Sequence, residues 1–474
     1  MIPRRVHLVG IGGIGMSAIA RILQARGHLV SGSDLKDSPL LEELEGAGMR
    51  IFRGHAAGQV GDAEMVIISS AVPPRNPEVQ EALRRGIQVA KRAEILGDLV
   101  AGRKAIAVAG THGKTTTTSM IALTLLLAGL DPSFVVGGVV QGLGTNARHG
   151  RGDYFVIEAD EYDRMFLGLQ PELAVITHVE WDHPDCYPTP EDLLAAFQQF
   201  VAQMPPEGCV IACGDHEGAA RLVAPRRNGG PRGMRETHGL SYGLGPDADL
   251  QAVDIVEERD RSRFQALWMG RPLGWFEVQV PGRHNVANAL AALAVAGRLG
   301  VPWERAREAL TRFRGVERRF QVRGSQRGVV VVDDYAHHPT EIRAALSAAR
   351  QAYPGQRVWA VFQPHTFSRI EALREGFAQS LSLADEVIVL PVFPAREEGD
   401  PIAAARHLAE MVPGREVVFA ETLEGAACLI LSQVQPGDVV LTLAAGDGNR
   451  VGEMVLAGLH VAGGQSGESR EFGG

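Results

Sequence analysis

The chain has 474 residues, 45% hydrophobic and 22% charged, with 56 glycines and a formal net charge of −9. That length exceeds one hydrophobic core and predicts roughly three domains of about 150 residues each, in a globular protein whose many glycines suit the tight turns of α/β folds. The acidic balance gives no general electrostatic reason to bind nucleic acid or an anionic membrane, and no window reaches the roughly 20 uninterrupted apolar residues of a membrane span.

The opening Met1-Ile-Pro-Arg-Arg-Val is followed by an apolar run broken at Gly10, Gly12, Gly13 and Gly15, so it does not read as an export signal. Cys186, Cys209, Cys213 and Cys428 are too sparse for a disulfide framework. A cytoplasmic protein without nucleic-acid or membrane partners is expected. Residues 7–9, 29–30, 65–68 and 87–89 read as short strands with helical patterns between them, a small parallel unit over 1–101. A strand at 105–108, a loop and a helix over 116–128 open a second domain, 102–316. It continues through strands at 154–157, 173–177 and 210–212, strands near 252–280 and a helix opening at His284. The basic, glycine-rich stretch 225–235 reads as a surface excursion. Strands at 329–332, 358–362, 387–390, 417–419 and 439–442, each followed by a helical segment, give a third domain, 317–474, with a disordered tail from Gly463. The predicted class is α/β with three domains: Rossmann-like, central phosphate-loop and C-terminal Rossmann-like.

Gly10-Ile-Gly-Gly-Ile-Gly15 follows a strand, opens a helix and has Asp34 some twenty residues on. That is the dinucleotide fingerprint, in which glycines let a diphosphate approach helix N-terminal amides. Alone it admits a nicotinamide-dependent oxidoreductase, a protein for another nucleotide diphosphate, or a turn made for packing.

Gly110-Thr-His-Gly-Lys-Thr-Thr116 is a shortened phosphate loop, since the usual first glycine would fall on Val108. Between a strand and a helix, such backbone wraps a triphosphate, with the lysine on terminal oxygens and a hydroxyl on magnesium. Lysine occurs only at 36, 91, 104 and 114, so an arginine-rich chain keeps its last lysine for this position. Two acidic patches follow strands: 158–163, where Glu158 ends a strand, and 180–185, which contains His183. These two residues suit magnesium, and the other acids read as solvated loop tips. Asn285 and Asn288 open a helix with amides able to reach an adenine edge, and Arg318 or Arg319 could clamp a γ-phosphate. Residues 333–338, Asp-Asp-Tyr-Ala-His-His, admit an independent transition-metal site as an alternative.

Taken in order, "GIGGIGM", "GTHGKTTTT", "EADE", "GRHNVANALAA", "RRF", "DDYAHHPTE" and "FQPHTFSR" resemble the Mur ligases, ATP-dependent amide-forming enzymes of peptidoglycan precursor synthesis. The likeness runs from Val6 to about Leu456. It implies that the first glycine turn holds a UDP-sugar instead of NAD, through Gly12, Gly13, Ile14, Gly15, Ser33, Asp34 and Ser70. It further implies that Gly110, Thr111, His112, Gly113, Lys114, Thr115 and Thr116 hold ATP, with Thr115, Glu158 and His183 at Mg2+. Asn285 and Asn288 would meet adenine, Arg319 the phosphates and Asp334 the ribose, while Tyr335, His365 and Arg369 face the amino acid and the lactoyl carboxylate. Lys114, His183, Arg319 and Arg369 would carry catalysis. Within the family the motifs fit a member using UDP-N-acetylmuramate, L-alanine and ATP as a monomer or homodimer. The alternatives are a tripeptide-recycling member and, from another class, the oxidoreductase. Tyr162, His178 and Thr366 depart from residues common in the family (serine, asparagine and often arginine), and a carbamylated lysine is excluded because no lysine follows Lys114.

Overall fold

The computed structural model describes residues 1–223, 238–414 and 416–464. Its first sheet has the order Arg50–Arg53, Leu29–Asp34, Arg5–Val9, Met65–Ile68, Gln88–Lys91, all parallel. The strand Arg50–Arg53 escaped sequence reading because only Ile51 of its four residues is buried, which leaves no apolar run on this edge. The helix Ile14–Ala25 starts from extended Gly13 and carries no acid in its first turn, so its N-terminal amides face the cleft unopposed.

Among the described residues the second sheet has ten strands and is mixed. Its parallel centre runs Cys209–Cys213, Leu173–Ile176, Lys104–Ala109, Tyr154–Glu158, Ser133–Val140. An antiparallel extension, Leu250–Glu257, Ser262–Trp268 and Arg271–Val278, occupies the region expected near 252–280. Ser133–Val140 was unexpected because Gly137-Gly138 interrupts its apolar run, yet close approach demands both glycines. A Cβ on Gly137 would lie 2.6 Å from Glu158 Oε1, and one on Gly138 2.5 Å from Val316 Cγ1.

The helix Lys114–Leu127 is buried despite five threonines and a serine. Thr118, Ser119 and Thr124 donate their hydroxyls to the carbonyls of Lys114, Thr115 and Met120, which removes the desolvation penalty of packing them inside.

The third sheet has the order Gln321–Gln326, Val329–Asp334, Val439–Ala444, Val358–Gln363, Glu386–Val389, Val417–Phe419, antiparallel only at its first pair. The helix Arg450–Gly464 carries Gly463 and Gly464, so the two residues expected to begin a disordered tail are helical; the rest of that tail and the stretch 225–235 lie outside the described residues. Side chains join the units: Asn146 Nδ2 donates to Ile14 O at 2.7 Å, and Arg369 Nε meets Asp182 Oδ1 at 2.7 Å. Among the described residues no helix is long and apolar enough to cross a membrane.

Candidate active site

The strand Lys104–Ala109 ends at Gly110, whose φ of +135° and a virtual Cβ 2.1 Å from Thr177 Oγ1 exclude any side chain. Gly113, φ +78°, caps the helix Lys114–Leu127, and a Cβ there would lie 2.6 Å from Asn288 Oδ1. These two glycines provide the close turn, and Val108 stays in the sheet. The loop sits at the carboxyl edge of the parallel strands, where open α/β sheets take ligands.

Lys114 Nζ donates to Gly110 O at 2.6 Å and pairs with Glu161 Oε2 at 2.8 Å. Burial alone would lower its pKa, but the carboxylates of Glu161 and Asp160 outweigh that and raise it. Thr115 Oγ1 donates to Glu158 Oε1 at 2.9 Å, and Gly137 N donates to the other carboxylate oxygen at 2.6 Å. Burial raises the Glu158 pKa against the pull of Lys114, so this carboxylate would gain from a further cation. His183, φ +55°, holds Nε2 3.6 Å from Glu161 Oε1. Oxygen donors with one imidazole fit magnesium.

The other acids of the two patches are not all solvated tips, as the sequence suggested. Glu161 is fully buried against Lys114, and Asp182 is buried against Arg369, whose charge helps to hold it well below the usual carboxylate range despite burial. Glu180 and Glu341 flank His112 at 2.9 Å (Nε2) and 3.2 Å (Nδ1). Burial works against charging His112, yet these two carboxylates lift it to about 9. The three residues bridge the central and C-terminal domains. His112, Glu180 and His338 do bring ligand atoms within 4.8 Å of one another. His112 turns both ring nitrogens toward carboxylates, so in this structure the cluster forms an ion-pair bridge.

Beside the loop lies a small cavity of about 130 Å³ bordered by His112, Gly113, Thr115, Thr116, Asn285, Asn288, Arg319 and Asp334. The two asparagines are tied internally: Asn285 Nδ2 donates to Pro281 O at 2.7 Å, Asn288 Nδ2 to Asn285 Oδ1 at 3.2 Å, and Thr117 Oγ1 to Asn288 Oδ1 at 3.1 Å. Asp334 accepts amides from Phe320 and Ala336, both at 2.7 Å, and burial pushes its carboxyl up to about 6. Both arginine candidates border the larger cleft described below and lie over Tyr335, at 5.1 and 5.0 Å, but Arg318 is engaged by Asp333 and by Ala444 O, whereas Arg319 also borders the small cavity.

A larger cleft of about 1050 Å³ joins all three domains. Ile14, Gly15 and Ser70 come from the first, Thr111, Lys114, Thr115, Glu158 and His183 from the second, and Tyr335, His365 and Arg369 from the third. Gly12, Gly13, Ser33 and Asp34 do not border it. Asp34 Oδ2 accepts Gly12 N at 2.9 Å, which fixes the turn, and Ser33 Oγ donates to buried Glu78 at 2.6 Å, directing that hydroxyl inward. Sequence reading missed Glu161, Asp182, Glu180 and Glu341 as working residues; their partners are remote in sequence, and only the fold pairs them.

Three stretches match family descriptions: residues 5–104 "Mur ligase family, catalytic domain", 108–296 "Mur ligase middle domain" and 318–446 "Mur ligase, glutamate ligase domain". The chain belongs to the Mur ligase family. It is 45% identical to the UDP-N-acetylmuramate–L-alanine ligase of Paenarthrobacter aurescens (strain TC1) over 96% of this chain and 97% of that one. To the enzyme of the same name from Roseiflexus castenholzii (strain DSM 13941 / HLO8) it is 44% identical, over 98% and 99%. Among solved structures it is similar to the UDP-N-acetylmuramate–alanine ligase of Thermotoga maritima (TM-score 0.81, 29% identity, 98% of this chain and 100% of that one). It is also similar to a murein peptide ligase of Psychrobacter arcticus 273-4 (TM-score 0.74, 25% identity, 96% and 99%).

Proposed function

We propose that the chain is an ATP-dependent ligase that joins the lactoyl carboxylate of UDP-N-acetylmuramate to the amino group of L-alanine, in the cytoplasm, for peptidoglycan precursor synthesis. One observation carries the reading: a single cleft is bordered by the first glycine turn, by the phosphate loop with its half-buried Thr115–Glu158 pair, and by the arginine-rich end of the third domain. Full-length identity of 44–45% to enzymes named for alanine favours it over the tripeptide-recycling alternative, whose structural representatives include one 25% identical over 96% of the chain and one 30% identical over 66% of it. Membership of the family displaces the oxidoreductase. We place the domain boundaries at 101/102 and 316/317, between the three sheets.

A carboxylate in water is a poor electrophile, hence the need for ATP. In this reading an oxygen of the lactoyl carboxylate forms a bond to the γ-phosphorus while the bond to the β,γ-bridging oxygen breaks, its electrons leaving with ADP. The neutral amine of alanine then adds to the acyl carbon, and phosphate leaves with the C–O electrons while the nitrogen gives up one proton to the departing phosphate, yielding the amide. Lys114 and Arg319 stabilise charge on the transferring group, and the loop amides from His112 to Thr116 orient it, the Thr111 amide being donated to the His178 carbonyl at 2.9 Å. Thr115, Glu158 and His183 would hold Mg2+, which when bound supplies neutralising charge for the phosphate oxygens. His178, with a buried Nδ1 that has no hydrogen-bond partner among the described residues, borders the small cavity in which Asn285, Asn288 and Asp334 would take adenosine. Ile14, Gly15 and Ser70, which border the cleft, would meet the UDP-sugar, while Gly12, Gly13, Ser33 and Asp34 would shape the turn that seats it, Asp34 by accepting Gly12 N and Ser33 by accepting Gly10 N and Ile11 N at its carbonyl. Tyr335, His365 and Arg369 would face the amino acid and the lactoyl carboxylate.

The experiment is isotopic. UDP-N-acetylmuramate labelled with oxygen-18 in its lactoyl carboxylate should deliver one labelled oxygen to the released phosphate. Unlabelled phosphate would contradict acyl-phosphate chemistry.

A further inference from the structure

The outer end of the cleft holds a cation that none of the sequence motifs accounts for. In the segment Phe-Gln-Pro-His-Thr-Phe-Ser-Arg, Thr366 stands where an arginine is frequent, so Arg369 is the only guanidinium the segment offers. Arg369 is 3% exposed and already committed. Its Nε donates to Asp182 Oδ1 at 2.7 Å, its Nη1 to the His365 carbonyl, and its Nη2 lies 3.3 Å from His183 Nδ1. Little of that fork is left for the two oxygens of a carboxylate.

Arg396 is placed differently. It borders the same cleft near His365, Thr366 and Asp185, with 36% of its side chain exposed. Its guanidinium lies 3.8 Å from the centre of the Tyr162 ring. Its Nη2 is 3.1 Å from Asp185 Oδ2, an oxygen that also accepts the Tyr162 hydroxyl at 3.1 Å. The loop carrying it is anchored: Thr366 Oγ1 donates to Glu397 Oε1 at 2.7 Å, Ser368 N to Glu397 Oε2 at 2.9 Å, and Glu397 N to Pro394 O at 2.9 Å, around a left-handed Ala395. Thr366 therefore helps to fix the loop that presents Arg396. Tyr162, the other departure from the family at this end of the cleft, supplies the ring beneath it.

We propose that Arg396, seated on Tyr162, binds the α-carboxylate of the amino-acid substrate and so replaces the arginine absent at position 366; the inference rests on the ligase reading above. A planar guanidinium offers two parallel donors to a carboxylate, and an aromatic face beneath it keeps the fork oriented. Position selects which carboxylate. From the phosphate loop outward, Lys114 pairs with Glu161 at 2.8 Å, His183 Nε2 lies 3.6 Å from Glu161, the His183 and Tyr162 rings are 5.0 Å apart, and Arg396 lies beyond Tyr162. The sugar's carboxylate must reach the γ-phosphate at Lys114, which leaves the outer station to the amino acid and turns its amine inward. Asp185 neutralises Arg396 until the substrate arrives.

The test compares wild type, Arg396→Gln, Arg396→Lys and the double variant Arg396→Gln/Thr366→Arg, measuring phosphate release with L-alanine and with L-alaninamide, which lacks the carboxylate. Arg396→Gln should raise KM for L-alanine about 30-fold, the order expected for losing a charge-assisted hydrogen bond. KM for ATP and UDP-N-acetylmuramate should stay within about twofold, and the preference for alanine over alaninamide should collapse. The double variant should regain part of that preference, and Arg396→Lys should keep only part of it; the lysine variant also reads the preference if the glutamine variant does not fold. An unchanged preference, or a rise in KM for the sugar nucleotide instead, would overturn the proposal. A wild type that releases no phosphate with both substrates present sinks the ligase reading itself, a result distinct from an active wild type with an indifferent Arg396.

Discussion

Lys114 Nζ lies 2.8 Å from Glu161 Oε2, inside a turn whose carbonyl at Gly110 accepts a second hydrogen bond from the same ammonium at 2.6 Å. The side chain of Glu161 is fully buried, so each charge depends on the other until a triphosphate competes for the lysine. This pairing separates a structural from a catalytic contribution of Lys114.

Lys114→Ala should therefore do two things. Turnover should fall by roughly three orders of magnitude or more, because the transferring phosphoryl group loses its compact cation. Melting temperature should also fall, because a buried carboxylate is left without its partner. Adding Glu161→Gln should recover part of the melting temperature and none of the turnover. Calorimetric titration should find UDP-sugar binding nearly intact; a loss of sugar binding with ATP binding retained would reverse the assignment of the two glycine turns.

Gly110→Ala addresses the geometry of the shortened loop. A Cβ would lie 2.1 Å from Thr177 Oγ1 and 2.8 Å from both His178 N and His178 O, at a φ of +135°. ATP affinity should drop at least about tenfold and the melting temperature should fall by several degrees. Gly86→Ala is the comparison, since Gly86 has φ +69° with nothing within 4 Å of a Cβ. It should cost about 1 kcal/mol and leave ATP binding unchanged.

His112 makes stability depend on pH. Its pKa is raised from 6.5 to about 9 because Glu180 and Glu341 outweigh the burial that opposes its charge. A group raised on folding stabilises fully below its unfolded pKa and loses that contribution as pH climbs through the folded value. Between pH 7 and 10, wild type should lose up to about 3 kcal/mol more than His112→Gln, read from denaturant unfolding at each pH. Because the imidazolium spans the central and C-terminal domains, the loss should be accompanied by a larger radius of gyration in solution scattering. Parallel pH profiles for the two proteins would contradict the bridge.

How far the sequence led follows from which signals are local. Continuous apolar strands such as Val329–Asp334 and Val358–Gln363 were legible because a strand buried on both faces needs no partner to declare it. Edge strands rich in arginine and glutamine, Arg50–Arg53 and Gln321–Gln326, and the glycine-broken Ser133–Val140 were not. At the site, Lys114, Thr115 and Glu158 stood out through spacing. The burial of Glu161 and Asp182 did not, because an acid at a loop tip is indistinguishable from a solvated one until its cation, 47 or 187 residues away, is folded against it. Ser33 shows the converse: it belongs to a recognisable motif, yet its hydroxyl is spent on Glu78.

Release of inorganic phosphate from ATP by the purified chain, with each component omitted in turn, tests the ligase claim most directly. Phosphate should appear stoichiometrically with amide only when UDP-N-acetylmuramate, L-alanine, ATP and Mg2+ are all present. Phosphate release that ignores the amino acid, or amide formation without ATP consumption, would contradict it.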